Sequence, residues 1–142
     1  MALDITTPKA HPEDVGVQIL GPYIFNFDTA GIGGATGVTF GTLPAGSIVL
    51  RTSAIVFTAF NAGTTNTLTV GAGGVDGSLL ASGVFTAAVG TKGPQVGTVS
   101  GANPTTADQA VFARYVQAGT AATTGRAMVY VEYYPARDYS PS

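Results

Sequence analysis

The stretch from Ser47 to Phe60, "SIVLRTSAIVFTAF", decides the fold. It is crowded with Ile, Val and Thr, whose branched Cβ atoms lose rotamer freedom in a helix but pack well on a pleated surface. The preceding "LPAG" places Pro44 and Gly46 where a turn needs them. The whole run therefore reads as one long strand. Its near-continuous apolarity implies burial on both faces, either between the core and a neighbouring element or between the core and another subunit.

Outward from this strand the same chemistry repeats. Upstream, "YIFNFD" alternates Tyr23, Phe25 and Phe27 against Ile24, Asn26 and Asp28, the period of a half-buried strand. The glycine-rich "GIGGATG" at Gly31–Gly37 is followed by strand-like "VTFGTL" and reads as a flexible hairpin connection. Downstream, "NAGTTN" is turn-like and makes "TLTVG" a hairpin partner of the long strand. Then come "LLASGVFTAAV", a weaker strand around "PQVGTV", and the pair "DQAVFARYVQ" and "GRAMVYVEYY" joined by "AGTAATTG". In the last of these Ala127, Val129, Val131 and Tyr133 face one way, while Arg126, Met128, Tyr130, Glu132 and Tyr134 face the other. The likeness between Ala62–Thr65 and Ala118–Gly125 reflects shared hairpin-loop chemistry rather than duplication.

No window combines helical periodicity with caps and straight-chain helix formers, so helix content is expected to be minor. Short, evenly spaced strands with Gly, Pro, Asn and Thr turns predict an all-β fold, an antiparallel β-sandwich, jelly-roll-like, with about eight strands. The expected organisation is an extended N-terminal arm over 1–17, the sandwich over 18–135 and a short C-terminal tail over 136–142. Pro8 and Pro12 flank His11 and keep the arm out of a regular helix, and Pro135 closes off the tail.

Composition narrows the functions. Charged residues make up only 10% of the 142, apolar types 45%, and Gly contributes 20 positions, whereas soluble domains ordinarily carry about a quarter charged residues. Six Lys plus Arg and a net charge of −2 provide no field for phosphates, so nucleic acid is not an expected partner. There is no cysteine, hence no disulfide framework and no thiolate metal site. No apolar run is long enough to span a bilayer and the N-terminus lacks a signal-peptide pattern, so the expectation is intracellular synthesis and no membrane partner.

Catalytic chemistry finds little footing. Phosphate-cradling glycine loops open a helix, whereas "GIGGATG" precedes a strand-like run, and "GTAATTGR" has five residues between Gly119 and Gly125 rather than four and no Lys-Ser/Thr after them. His11 is the single histidine, with Glu13 and Asp14 beside it on the arm, so no metal site and no cofactor is expected. Asp76 and Asp108 stand in turn contexts where Asp serves the backbone. Glu132, mid-strand on the face that carries Arg126, suits a cross-strand or intersubunit ion pair. Ser and Thr abound, yet the folded body offers no histidine to activate them. The expectation is a chain that is not an enzyme and works through its surfaces.

A β domain so poor in charge risks association unless something covers it. Tyr130, Tyr133, Tyr134 and Tyr139 cluster near the C-terminus, and tyrosine suits interfaces that are packed on one side and wet on the other. Arg126, Tyr130, Glu132 and Tyr134 are the candidate oligomer-interface residues.

The runs "LPAGSIVLRTSAIVFTAFNAGTTNTLTVG" and "ANPTTADQAVFARYVQAGTAATTGRAMVYVEYY" resemble small virion structural proteins of tailed bacteriophages, in particular head decoration or cement proteins. The resemblance spans roughly Gly41 to Tyr134. It implies a β-sandwich subunit, often a homotrimer, on the outer capsid surface of the virion, bridging neighbouring copies of the major capsid protein. It also implies that the arm makes shell contacts, for which Ile5, Pro8, His11, Pro12 and Val15 are the candidates. Two other functions fit a chain of this style, a tail or head–tail connector subunit and a carbohydrate-binding sandwich. The absence of Trp weakens the latter.

Overall fold

A computed structural model describes residues 16–82, 88–96 and 105–135 of the chain. Eight strands run β1 (Gln18–Asn26), β2 (Val38–Leu43), β3 (Ile48–Thr58), β4 (Thr65–Ala72), β5 (Val75–Leu80), β6 (Gly90–Val96), β7 (Gln109–Ala118) and β8 (Arg126–Tyr134). Among the described residues there is no helix. The strands form two four-stranded antiparallel sheets, β1-β8-β3-β6 and β2-β7-β4-β5.

Each strand of the first half pairs with its counterpart counted back from the end: β1 with β8, β2 with β7, β3 with β6 and β4 with β5. That is one long hairpin rolled over on itself, and the β3–β8 and β4–β7 pairings stitch the roll into a sandwich. This order is the jelly roll, which bears out the expected fold.

The core lies between the sheets. Phe25, Leu43, Leu68, Val70, Leu80, Val111, Val129 and Val131 are all at 0–1% exposure. Each such side chain contributes about 1.5–3 kcal/mol on burial. Ring stacks cross the interior: Phe40 on Tyr23 at 5.4 Å, Tyr23 on Phe25 at 5.8 Å, Phe25 beside Phe60 at 6.2 Å, and Phe60 against Tyr115 at 4.5 Å.

β3 is the long strand the sequence predicts, with one refinement. Val49, Thr52, Ala54 and Val56 point inward and are buried. An irregularity in the pairing between Val49 and Arg51 leaves Leu50 as an extra residue and shifts the alternation by one position, so Arg51 faces outward. The apolar run thus comes partly from this phase shift. Among the described residues no further layer covers the outward side, where Ile55 is half-buried and Phe57 is 47% exposed.

Three local expectations are corrected by the topology. β3 and β4 do not form a hairpin, because they lie in different sheets, and the same holds for β7 and β8 and for β1 and β2. "NAGTTN" and "AGTAATTG" are therefore sheet-crossing loops, and they hold each other: Gly63 N donates to Thr120 O at 2.9 Å and Thr64 N to Ala118 O at 2.9 Å. Asn61 completes the clasp, its Nδ2 donating to Thr123 Oγ1 at 2.9 Å and its Oδ1 accepting from Thr123 N at 2.8 Å and Thr124 N at 3.0 Å. Of "LLASGVFTAAV", Leu79 and Leu80 close β5, Ala81 and Ser82 follow it, and 83–87 lie outside the described residues.

The arm over 1–17, save Gly16 and Val17, and the tail over 136–142 also lie outside the described residues.

Candidate interaction surface

β8 supplies the centre of the surface that the sequence singles out. Its alternation is regular: Ala127, Val129 and Val131 are fully buried, and Tyr133 packs against the core. Arg126, Met128, Tyr130, Glu132 and Tyr134 therefore stand on the outer face, all partly or well exposed. β8 is an inner strand, flanked by β1 and β3, so these side chains sit in the middle of a sheet face rather than along an edge.

Register extends the face sideways. Ile24 of β1 and Ile55 of β3 both stand opposite Met128. Ile19 and Arg51 stand opposite Glu132, and Asn26 and Thr58 opposite Arg126. Ile19 at 57% exposure, Ile24 at 47% and Phe57 at 47% are among the most exposed large apolar side chains of the described residues. An apolar band thus crosses the outer face of the β1-β8-β3-β6 sheet. Ile19, Ile24, Ile55 and Phe57 extend the tyrosine-centred reading; the alternation of Ile24 against Phe25 already carried that signal, and the bulge in β3 hid it for Arg51.

Among the described side chains of this face, charge lies at the two ends of the band. At one end Arg51 Nε donates to Glu132 Oε2 at 2.6 Å, the cross-strand ion pair expected for Glu132, with β3 supplying the cation. At the other end Arg126 is exposed and forms no ion pair among the described residues.

The opposite sheet carries a polar depression of about 380 Å³, lined by Thr67, Thr69, Asp76, Ser82 and Arg114 among others. Its charges are already matched: Arg114 Nη1 meets Asp76 Oδ2 at 2.5 Å, Arg114 Nε donates to Gly34 O at 2.8 Å, and Thr69 Oγ1 donates to Asp76 Oδ1. Asp76 thus lies in β5 and pairs with side chains, a correction to its turn role. Asp108 serves the backbone as expected, accepting from Ala45 N at 2.8 Å.

The Gly31–Gly37 loop is a chain of tight turns, with Gly34 N donating to Gly31 O and Gly37 N to Gly34 O, each at 3.0 Å. It leads into β2 rather than a helix. Among the described residues no group of three or more His, Asp or Glu is placed to hold a metal. Ile5, Pro8, His11, Pro12 and Val15 lie outside the described residues.

No protein-family model matches the chain, and no curated protein matches it either. Among solved structures it is similar to a chain of the cyanophage Pam1 capsid asymmetric unit, with a TM-score of 0.50 and 21% identity over 95% of this chain and 97% of that one. The likeness runs nearly end to end in both chains. At that identity it speaks for a shared fold.

Proposed function

We propose that the chain is a non-enzymatic structural component of a bacteriophage virion, a decoration or cement subunit that adds as a homo-oligomer, a trimer on the resemblance, to the outer capsid surface and bridges major capsid proteins. The observation that carries this is the jelly roll itself, shared nearly end to end with a chain of a phage capsid asymmetric unit. Two features of the chain support it. The acids Asp76, Asp108 and Glu132 are bound to a neighbouring cation or a backbone amide. The face richest in exposed apolar side chains among the described residues is that of a four-stranded sheet, suited to contact area rather than to enclosing a small ligand.

The mechanism is additive. Each copy covers a seam between shell subunits and removes apolar surface from water at about 25 cal/mol per Å², from which the costs of association are subtracted. Repetition over a particle turns modest contacts into a large collective gain.

The test is reconstitution. Purified protein is added to mature shells lacking it, and the particles are sedimented and heated with and without a chelator. Saturable co-sedimentation with a raised disruption temperature is expected. Protein that stays in the supernatant, with shells melting unchanged, overturns the proposal.

A further inference from the structure

We infer that the outer face of the β1-β8-β3-β6 sheet is a self-complementary contact between two copies of this chain, related by a two-fold axis that crosses β8 at Val129. The contact rests on the arrangement of this face alone and is independent of the virion reading.

Four of the five outward residues of β8, Arg126, Met128, Tyr130 and Glu132, are placed symmetrically about Val129, and Tyr134 lies beyond them. In a two-fold contact the same patch meets itself, so whatever lies a given distance on one side of the axis meets what lies the same distance on the other. Two such faces stacked with their β8 strands antiparallel set Arg126 against the partner's Glu132, and Met128 against the partner's Tyr130. The apolar middle meets an apolar middle, and the cationic end meets the carboxylate end, twice per contact. Stacked sheets lie about 10 Å apart, which leaves room for one layer of interdigitated side chains.

Glu132 is suited to sharing. Arg51 holds Oε2 within the same chain, and a carboxylate has two oxygens and accepts from two guanidiniums at once. Arg126, exposed and without an ion pair among the described residues, is the second donor. Its guanidinium has no ion pair among the described residues of one chain and is matched in the pair.

The occupant follows from the same charges. A three-fold arrangement of this face about a common axis brings three Arg126 side chains to one level, where like charges repel. The two-fold arrangement brings opposite charges together instead. The occupant is therefore a second copy in antiparallel register, and in a chain that is also trimeric this contact joins trimers in pairs.

The experiment uses complementary charge reversals in the full chain. Arg126→Glu makes one population acidic at both ends of the face, and Glu132→Arg makes the other basic at both ends. Each alone places like charges opposite each other in the two-fold contact; mixed, they restore both pairs. Ile24→Glu serves as a variant that attacks the apolar band and leaves Arg126 and Glu132 in place. Circular dichroism verifies folding of every variant.

By analytical ultracentrifugation the wild type is expected at an even number of copies. Each variant alone is expected to fall to half that mass, with association weakened by about tenfold or more. The equimolar mixture of the two charge variants is expected to regain the wild-type mass, while Ile24→Glu stays dissociated in any mixture. A wild type with an odd number of copies, single variants of unchanged mass, or a mixture that fails to reassociate each overturns the inference. A face that instead docks on another protein shows itself as unchanged mass in every variant.

Discussion

The hydroxyl of Tyr115 donates to Asn66 Oδ1 at 2.6 Å, and this bond ties the floor of the core to a sheet-crossing loop. Asn66 also accepts from Ala62 N at 2.9 Å and donates through Nδ2 to Ala62 O at 3.0 Å. One carboxamide therefore sets the loop and satisfies a phenol that is 1% exposed. Asn66→Ala strands that hydroxyl in an apolar site and frees the loop, at a cost of about 2–3 kcal/mol. Tyr115→Phe removes donor and demand together and is expected to cost less, about 1 kcal/mol. Urea unfolding of the two variants checks the order.

Burial raises the Tyr115 phenol above its usual 10.0, and burial does the same to Tyr23. The raised folded-state values mean that the native protein holds protons the unfolded chain releases first. Stability from these groups is complete below about pH 10 and falls as the pH climbs from there toward the folded-state values. Alkaline unfolding is thus expected to steepen above pH 10, and Tyr115→Phe to flatten part of that slope. Thermal melts taken from pH 8 to 11.5 measure it.

Gly37 ends the turn-rich loop before β2 with φ at +49°, and a Cβ there meets the Ala113 carbonyl oxygen at 1.9 Å. The obstruction is backbone of the central strand β7, which cannot swing aside as a side chain can. Gly37→Ala combines left-handed strain with this overlap and is expected to cost more than about 4 kcal/mol. Gly16, with nothing within 4 Å, is the control: its alanine variant is expected to melt within about 1 °C of wild type.

Thr52 is fully buried on the inward row of β3, and its Oγ1 has no hydrogen-bond partner among the described residues. A hydroxyl so placed gives up its hydration without an equivalent return. Thr52→Val keeps the branched shape and the strand preference, and is expected to stabilise the domain by about 1 kcal/mol. That corresponds to about 2–4 °C in melting temperature. Calorimetry decides it; a lowered Tm shows that the hydroxyl is bonded in solution.

The strands were legible because each is a local matter. β-branched density marks β3, and alternation marks β1 and β8, down to the inward row Ala127, Val129 and Val131. Sheet membership was not, because nothing in "NAGTTN" separates a hairpin from a crossing between sheets. The deciding contacts reach far along the chain: Asn61 to Thr123, a separation of 62 residues, and Arg51 to Glu132, a separation of 81. The outward face was half legible. Alternation placed Arg126, Tyr130, Glu132 and Tyr134 together and set Ile24 against Phe25, while the place of Ile24 and Ile55 on either side of Met128 came only with the register. Tyr115 and Asn66 escaped notice because a polar pair inside a core leaves no periodic trace.

The arm is the remaining expectation that a simple truncation reaches. Its shell-contact candidates Ile5, Pro8, His11, Pro12 and Val15 all precede Gly16, where the described domain begins, and β1 pairs with β8 from Gln18 onward. Every strand among the described residues starts at or after Gln18. Removing 1–14 is therefore expected to leave the melting temperature within about 2 °C of the full chain. If the arm tethers the subunit to a shell, the same truncation lowers occupancy on particles at a fixed protein concentration by about tenfold, the scale on which losing one of two linked attachments reduces avidity. Quantitative co-sedimentation of full-length and truncated protein with the same shells separates the two effects. Equal occupancy assigns shell attachment to the jelly roll alone, and a fallen melting temperature assigns the arm a part in folding.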